Sequence, residues 1–438
     1  MSDTAKRTKI LWVCNVALPK IAADMGMSAQ NIAGWLSGFA DELEKAEAFE
    51  LSICFPILGD KEQRSGRVGN IDYYSFSQPR LMGFLPAEDQ LHETPLMRKQ
   101  LKAIIDRVKP DILHIFGTEY PHSLTAAGLF ARPERTLVNI QGLTSYYHMH
   151  FNQGIPHKAQ RRFVPSCLAR GTLAQQEKRL KKRGENEYAA LQLAGHVIGR
   201  TDWDRACVSE INPKSKYHFC NESLRSAFYT GRWEYEKCEK HSIFMSQAAT
   251  PIKGLQFMIA ALPEILRVYP DTRLYVAGNN ILKSDTLYDR LKLSPFAAYI
   301  RRLMREKDVA ADRVVFTGSL NEQQMKERFL KANVFVSAST IENSPNSLGE
   351  AMSLGVPSVT SDVGGVKNLL EHGKEGFVYQ ADAAYMLAYY VKELFAMEDR
   401  ASALSYAAQA HALRTHDRDA NLKRLTEIYT EILGEQDR

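Results

Sequence analysis

The chain has six cysteines, Cys14, Cys54, Cys167, Cys207, Cys220 and Cys238, but no CxxC pair and no histidine cluster beside them. That argues against a zinc site and for thiols held in a reducing compartment. No stretch approaches the ~20 consecutive apolar residues of a membrane span. The opening, MSDTAKRTKILWVCNVAL, is basic and then apolar, but Asn15 interrupts the apolar run. It reads as a buried first strand rather than a signal peptide, and a cytoplasmic location is expected. Charge of one sign is also scarce. The formal net charge of +5 is mild for 438 residues and gives no case for a nucleic-acid partner. The turn after the first strand reads ALPKIAADMG and lacks GxGxxG, which argues against a dinucleotide dehydrogenase. There are no internal repeats and no low-complexity tracts.

What is present is an ordinary globular composition, 45% apolar and 24% charged. A single core stops growing near ~250–300 residues, so this length implies two domains. In both halves strands alternate with helices. In the first, strands are expected at 10–16, 49–57, 71–76, 112–117 and 136–142, with a helix near 34–45 and an amphipathic one ending at Pro110. The tract 158–183 breaks that rhythm, with nine Lys or Arg and Glu177 as its one acid. A strand and helix return at 196–208. The aperiodic stretch 226–241 marks the domain junction. Beyond it strands are expected at 241–247, 273–278, 313–318 and 333–339, with helices at 253–269, from 279 to about 307, and at 321–331. The fold class is therefore α/β, with two doubly wound, Rossmann-like domains: 1–230 first, then 240–415.

In open parallel sheets ligands bind beyond the carboxyl ends of the strands. Three polar segments of the second half follow strands: ATPIKG, IENSPNS and DVGG. All three should open into one crevice. Ser344 fits an N-cap and Pro345 the first helical position. The amides of Asn346, Ser347 and Leu348 would then lack partners and offer an anion site. Lys253 adds a point charge to the same phosphate. Gly364 and Gly365 permit close backbone approach. Glu342 and Glu350 repel a phosphate but suit the hydroxyls flanking it, Glu350 on a ribose and Glu342 on a second sugar. A sugar, a diphosphate and a nucleoside in a row make a nucleotide sugar.

The spacing Glu342–x7–Glu350 inside SPNSLGEAMSLGVPSVTSDVGG resembles the family-4 glycosyltransferases of GT-B architecture. PIKGLQFMIAALPEILRVYPDTRLYVAG, VVFTGSLNEQQMKERFLKANVFVSAS and KNLLEHGKEGFVY are similar to the same family. The likeness is strong over 240–380 and weaker before it. The resemblance implies two domains facing across a cleft, a retaining transfer with no metal or other cofactor, and donor binding by the second domain. It implies acceptor binding by the first, and a last helix, 416–438, crossing back to the first domain. Lys253 would contact the diphosphate, Glu350 the ribose and Glu342 the donor sugar. Two positions depart from the pattern. The family's arginine before the lysine is missing from SQAATPIKG, leaving Ser246, Gln247 or a cation from elsewhere. Gln141 of NIQG stands where many members carry a histidine, and it cannot act as an acid or base near neutral pH. That fits a leaving phosphate taking the acceptor's proton.

Glu119 follows a buried strand and is assigned to the cleft as a catalytic residue with Glu342 and Lys253. His148 joins Gln141 on the acceptor side, and His114 reads as a core residue. The first-half motifs resemble the polysaccharide-assembly branch. The expected substrates are a UDP- or GDP-linked sugar and a glycan or lipid-diphosphate-linked acceptor. The basic tract 158–183 reads either as a solvated face or as a contact with an anionic membrane. Two rival functions stay open: a nucleotide-sugar 2-epimerase and a non-catalytic sugar-nucleotide-binding scaffold.

Overall fold

The computed structural model describes residues 7–27, 34–45, 48–78 and 91–434; the basic start at 1–6 lies outside them. The chain forms two compact units. The first comprises Met1–Tyr146, Arg179–Ser223 and Asp417–Arg438, and the second Tyr147–Lys178 and Leu224–His416.

The first unit holds an eight-stranded sheet of β1 (Thr8–Val13), β2 (Phe49–Leu58), β3 (Ser65–Val68), β4 (Ile71–Gln78), β5 (Ile112–Phe116), β6 (Thr136–Asn139), β7 (His196–Gly199) and β8 (Lys216–Phe219). The spatial order is β3-β4-β2-β1-β5-β6-β7-β8. Every pairing is parallel except β3 with β4. Strands such as ILHIF are buried along their whole length, as a parallel sheet covered on both faces requires. One face buries Ile10, Trp12, Ile53 and Ile112 with the final helix Arg418–Gly434, through Leu425, Ile428, Tyr429 and Ile432. There Trp12 Nε1 donates to the Tyr429 hydroxyl at 3.0 Å. That hydroxyl also lies 2.7 Å from His114 Nδ1. The Tyr429 hydroxyl thus links Trp12 and His114 inside the core. Burial lowers the His114 pKa to about 3, so the ring stays neutral. The other face buries Leu11, Val13, Leu113 and Val138 against the helices Pro95–Val108 and Pro121–Phe130.

The second unit holds β9 (Glu239–Met245), β10 (Arg273–Val276), β11 (Val314–Phe316), β12 (Ala332–Ser337), β13 (Ser358–Asp362) and β14 (Phe377–Gln380). All are parallel, in the order β11-β10-β9-β12-β13-β14. Consecutive strands run outward from β9 in both directions, which places the topological switch point between β9 and β12.

Several sequence expectations change. The stretch 279–307 is not one long helix but two, Leu287–Lys292 and Pro295–Glu306. Pro295 has no N–H to continue a helix and begins a new one, and the Ser294 side chain accepts from Ala297 N at 3.1 Å. The helix expected from Lys253 begins at Leu255, after a short turn, Pro251–Lys253. The tract 158–183 is not irregular; most of its second half lies in the helix Leu173–Gln192. Residues 147–178, read from sequence as part of the first domain, cluster with the second unit. There Gln256 Nε2 donates to Gln153 O at 3.0 Å and Ser166 Oγ to Leu293 O at 2.7 Å. All six cysteines are buried and free. No described helix is long and apolar enough to cross a membrane.

Candidate functional site

Three loops leave adjacent strands at the switch point of the second unit: 246–254 after β9, 338–345 after β12 and 363–365 after β13. Backbone contacts draw them together. Thr340 N donates to Ile252 O at 2.8 Å, and Gly365 N to Glu342 O at 3.1 Å. Two glycines make those approaches sterically possible. Gly254 has φ +72°, and a Cβ there would stand 1.7 Å from Ala338 O; Gly364 has φ +49°, and its Cβ would stand 1.9 Å from Glu342 O. The close approach expected of Gly364 and Gly365 toward a ligand is therefore made to the Glu342 carbonyl. On the far side of the loop, Asn343 N donates to the Tyr147 hydroxyl at 2.9 Å.

This packing fixes Glu342, which is 8% exposed. Its Oε1 accepts from Lys253 Nζ at 2.6 Å and from Ser339 Oγ at 2.8 Å. Oε2 has no hydrogen-bond partner among the described residues. Lys253 carries three N–H donors, of which Glu342 takes one. Its side chain is about one-third exposed, so the ammonium can reach an anion in solvent while staying tied to the loop.

The helix after β12 runs Asn346–Ser353. The expected cap shifts by one residue. Pro345, not Ser344, is the N-cap, with extended ψ of 111° and no side-chain cap bond. Its carbonyl accepts from Leu348 N at 2.9 Å. Leu348 therefore leaves the set of unpartnered amides, and its side chain is in the core. Among the described residues the amides of Asn346 and Ser347 have no hydrogen-bond partner, and they stand at the positive helix end.

Glu350 lies one turn further in, 5% exposed. Both oxygens are held by one guanidinium: Arg225 Nε donates to Oε1 at 2.7 Å and an Arg225 terminal nitrogen to Oε2 at 2.8 Å. Burial pushes the Glu350 pKa up and Arg225 pulls it back. Arg225 is itself positioned 4.8 Å above the Phe228 ring. Sequence reasoning missed Arg225. It sits just before the aperiodic stretch 226–241, 125 residues from its partner, and nothing local signals the pairing. Gln247, considered for the missing arginine's place, is exposed and bonds to no described residue. Arg225 does not fill that place either, because its fork is closed on Glu350.

The remaining candidates are distributed otherwise. His148 is half-buried in the turn His148–His150 and clusters with the second unit rather than with Gln141. Gln141, in the first unit, donates from Nε2 to Asn139 Oδ1 at 3.0 Å and to Glu222 Oε1 at 2.8 Å. Glu222 is a buried carboxylate paired with Arg200. Glu119, also in the first unit, accepts from Thr118 N at 3.1 Å and from Asn15 Nδ2 at 3.5 Å; burial pushes its pKa up. Among the described residues no group of three or more His, Cys, Asp or Glu is arranged to hold a metal ion.

Residues 239–397, which carry all three loops, match the family described as "Glycosyl transferases group 1". The match covers 159 of the chain's 438 residues, so what it shows is a likeness of this stretch to that family. Among curated proteins the chain is 26% identical over 210 residues to the putative glycosyltransferase YtcC of Bacillus subtilis, covering 47% of this chain and 48% of that one. It is 25% identical over 185 residues to a GDP-mannose-dependent alpha-(1-6)-phosphatidylinositol monomannoside mannosyltransferase of Mycobacterium tuberculosis, covering 41% and 44%. The chain thus spans about half the length of these relatives. Solved structures align over nearly the whole chain. Sucrose-phosphate synthase from Thermosynechococcus elongatus superposes with a TM-score of 0.69 at 16% identity, covering 98% of this chain and 100% of that one. Anabaena Alr3699/HepE in complex with UDP-glucose gives 0.64 at 15% identity, with 97% and 100% covered. At such identities the likeness establishes the fold, which is GT-B.

Proposed function

We propose that the chain is a glycosyltransferase that moves a sugar from a UDP- or GDP-linked donor to a hydroxyl of a glycan or lipid-linked glycan, with retention of configuration and without a metal. The reading is carried by one arrangement: the Lys253–Glu342 pair beside the free amides of Asn346 and Ser347, with Glu350 in the same helix. Its support comes from the family match over these residues and from structural neighbours that are complexes with UDP and UDP-glucose.

Lys253 and the two amides hold the diphosphate. The Glu342 oxygen left without a protein partner accepts from donor-sugar hydroxyls. Glu350, oriented by its two hydrogen bonds from Arg225, accepts from the ribose. In the transfer, the bond from the anomeric carbon to the phosphate oxygen breaks and a bond to the acceptor oxygen forms. The acceptor's proton passes to the departing phosphate, whose negative charge grows as the bond lengthens and is met by Lys253. Gln141, committed to Glu222, takes no part in proton transfer, and Glu119 serves the acceptor side. The context is surface-polysaccharide synthesis at the inner face of a membrane. Lys158, Arg161 and Arg162 form no ion pair with a described residue and stand beside Phe163 and Leu168, 63% and 71% exposed. That combination suits an anionic bilayer.

The test is turnover. Purified protein incubated with UDP- and GDP-sugars should release the nucleoside diphosphate slowly alone and faster with acceptor, and Glu342→Ala should abolish both. Release that Glu342→Ala leaves intact would overturn the assignment, and isomerisation of the donor sugar without an acceptor would establish an epimerase instead.

A further inference from the structure

The amino-terminal edge of the second unit's sheet carries a polar pocket of about 420 Å³, over the first residues of β9 and β10. That is within the ~300–1,000 Å³ range of small-ligand sites. β9 spans seven residues at ~3.3 Å each, so about 20 Å of strand separates this edge from the loop 246–254. One diphosphate cannot reach both.

The sequence makes this edge basic. Arg273 begins β10 and Arg313 ends the turn before β11; each stands one position ahead of the register pair Leu274–Val314. Neighbouring strands lie ~4.8 Å apart, so the two side chains start side by side, and like charges repel. Arg273 is exposed and forms no hydrogen bond or ion pair with a described residue. Arg313 reaches Asp312 only at 4.0 Å. Lys240 donates to the Tyr235 carbonyl and keeps two further N–H donors. Around Lys240 the strand enters the sheet through a bulge. Between the pairs Glu239–Ala332 and Ile243–Val334, β9 advances four residues against two, with His241 at φ +54°. Bulges re-aim side chains.

The two carboxylates of the pocket already have partners. Glu239 Oε2 accepts from Arg328 Nη1 at 2.9 Å. Asp271 Oδ1 lies 2.8 Å from His241 Nδ1. That hydrogen bond and, to a lesser extent, the Arg313 charge hold the Asp271 pKa below the ordinary carboxylate value. A ligand therefore competes with Asp271 for Arg313 but has no rival for Arg273. Behind the wall, Arg328 lies 4.1 Å from the centre of the Tyr275 ring, with its side chain 10% exposed. Its Nε and Nη2 have no hydrogen-bond partner among the described residues, and Glu239 is its one ion-pair partner there. Lys240, Arg273, Arg313 and Arg328 thus stand against Glu239 and Asp271, four cations to two carboxylates.

We propose that this pocket binds a phosphate group carried on a small molecule, at a site separate from the nucleotide loops. Guanidinium forks match phosphate oxygens in geometry, and a dianion between Arg273 and Arg313 offsets their repulsion. The volume leaves room beyond the phosphate for a sugar-sized remainder. Such a site stands whether or not the chain transfers sugars.

The test is calorimetric titration of the full chain with glucose 6-phosphate and inorganic phosphate. Glucose, glucuronate and potassium chloride at matched ionic strength are the controls. Arg273→Glu, the pair Arg273→Gln with Arg313→Gln, Asp271→Asn and Lys253→Ala are compared with wild type. Arg273 is exposed, so its variants should melt with wild type when no ligand is present. The expected result is binding of glucose 6-phosphate ahead of glucuronate, equal in wild type and Lys253→Ala. It should weaken tenfold or more in both arginine variants and tighten roughly threefold in Asp271→Asn, which removes the competing charge. Binding lost in Lys253→Ala but kept in the arginine variants would move the phosphate to the nucleotide loops and overturn the proposal. So would preference for glucuronate, a response that potassium chloride reproduces, or no binding of any phosphate. Vesicles of phosphatidylcholine with phosphatidate separate the two sources of the group: sedimentation that Arg273→Glu abolishes, without binding of the soluble esters, keeps the phosphate site and assigns it to a lipid headgroup. If glucose 6-phosphate binds as expected but neither UDP nor GDP shifts the melting temperature, the transferase reading fails and this site stands.

Discussion

Replacing Arg225 with alanine leaves the Glu350 carboxylate inside the second unit without its cation. Glu350 is 5% exposed, so solvent cannot take over the two hydrogen bonds at 2.7 and 2.8 Å. Removing one partner of a buried pair costs ~3–5 kcal/mol. Arg225's side chain keeps 19% of its exposure, which puts the loss at the lower end, about 3 kcal/mol. For a unit of ~150–250 residues each kcal/mol moves Tm by ~2–4 °C, so the drop should be roughly 6–12 °C. The loss also acquires a pH dependence. Burial already pushes Glu350 up, and without Arg225 nothing opposes it. A folded-state pKa raised above the unfolded value gives stability that is present at low pH and lost as pH rises through the folded pKa. The deficit of Arg225→Ala should therefore be larger at pH 8 than at pH 5. Scanning calorimetry at both pH values reads this directly. The double substitution Arg225→Met with Glu350→Gln removes both charges and should recover most of the loss. An Arg225→Ala protein that melts within about 1 °C of wild type at both pH values would refute the reasoning.

Three further outcomes follow from the same structure. Gly254→Ala combines φ +72° with a clash against Ala338 O; it should lower Tm by several degrees and weaken nucleoside diphosphate binding, since the lysine loop must back away from β12. Burial pushes the fully buried Glu187 up to about 7. Its share of stability is thus present below about pH 4.5 and lost as pH rises through 7, on the order of 3 kcal/mol, and Glu187→Gln should flatten the Tm–pH profile across that window. Sedimentation with vesicles should show binding to acidic but not zwitterionic lipid, reduced by Arg161→Glu with Arg162→Glu and by Phe163→Ala; equal binding to both vesicle types would remove the membrane reading.

The second unit was largely legible because its strands are buried and β-branched, and because the rule that ligands gather beyond strand ends turns three separate motifs into one place. The Lys253–Glu342 contact spans 89 residues, yet it follows from which loops leave neighbouring strands. The Arg225–Glu350 contact had no such guide, since Arg225 precedes only a short turn, Ser226–Tyr229. The short strands Ser65–Val68 and Lys216–Phe219 escaped notice because both are mostly solvent-facing and show no apolar run. The helix Leu173–Gln192 was hidden by its basic residues, which mask the apolar positions at Leu173, Ala190 and Leu191 that bury it. Membership of 147–178 in the second unit depends on contacts with 256, 293 and 343, which no local pattern encodes. The cap moved from Ser344 to Pro345 because it is the Pro345 carbonyl, in an extended residue, that accepts from Leu348 N at 2.9 Å.

The most direct test of the account is a thermal-shift titration of wild type and Lys253→Ala with UDP and GDP, each against its bare nucleoside. A ligand at a hundredfold excess over Kd stabilises by ~2.7 kcal/mol. One diphosphate should raise the wild-type Tm by several degrees, and Lys253→Ala should lose most of that shift while its response to the nucleoside, held by Glu350, is unchanged. No shift with either nucleotide, or an equal loss for diphosphate and nucleoside, would contradict the claim that the loops after β9 and β12 form a nucleotide-sugar site.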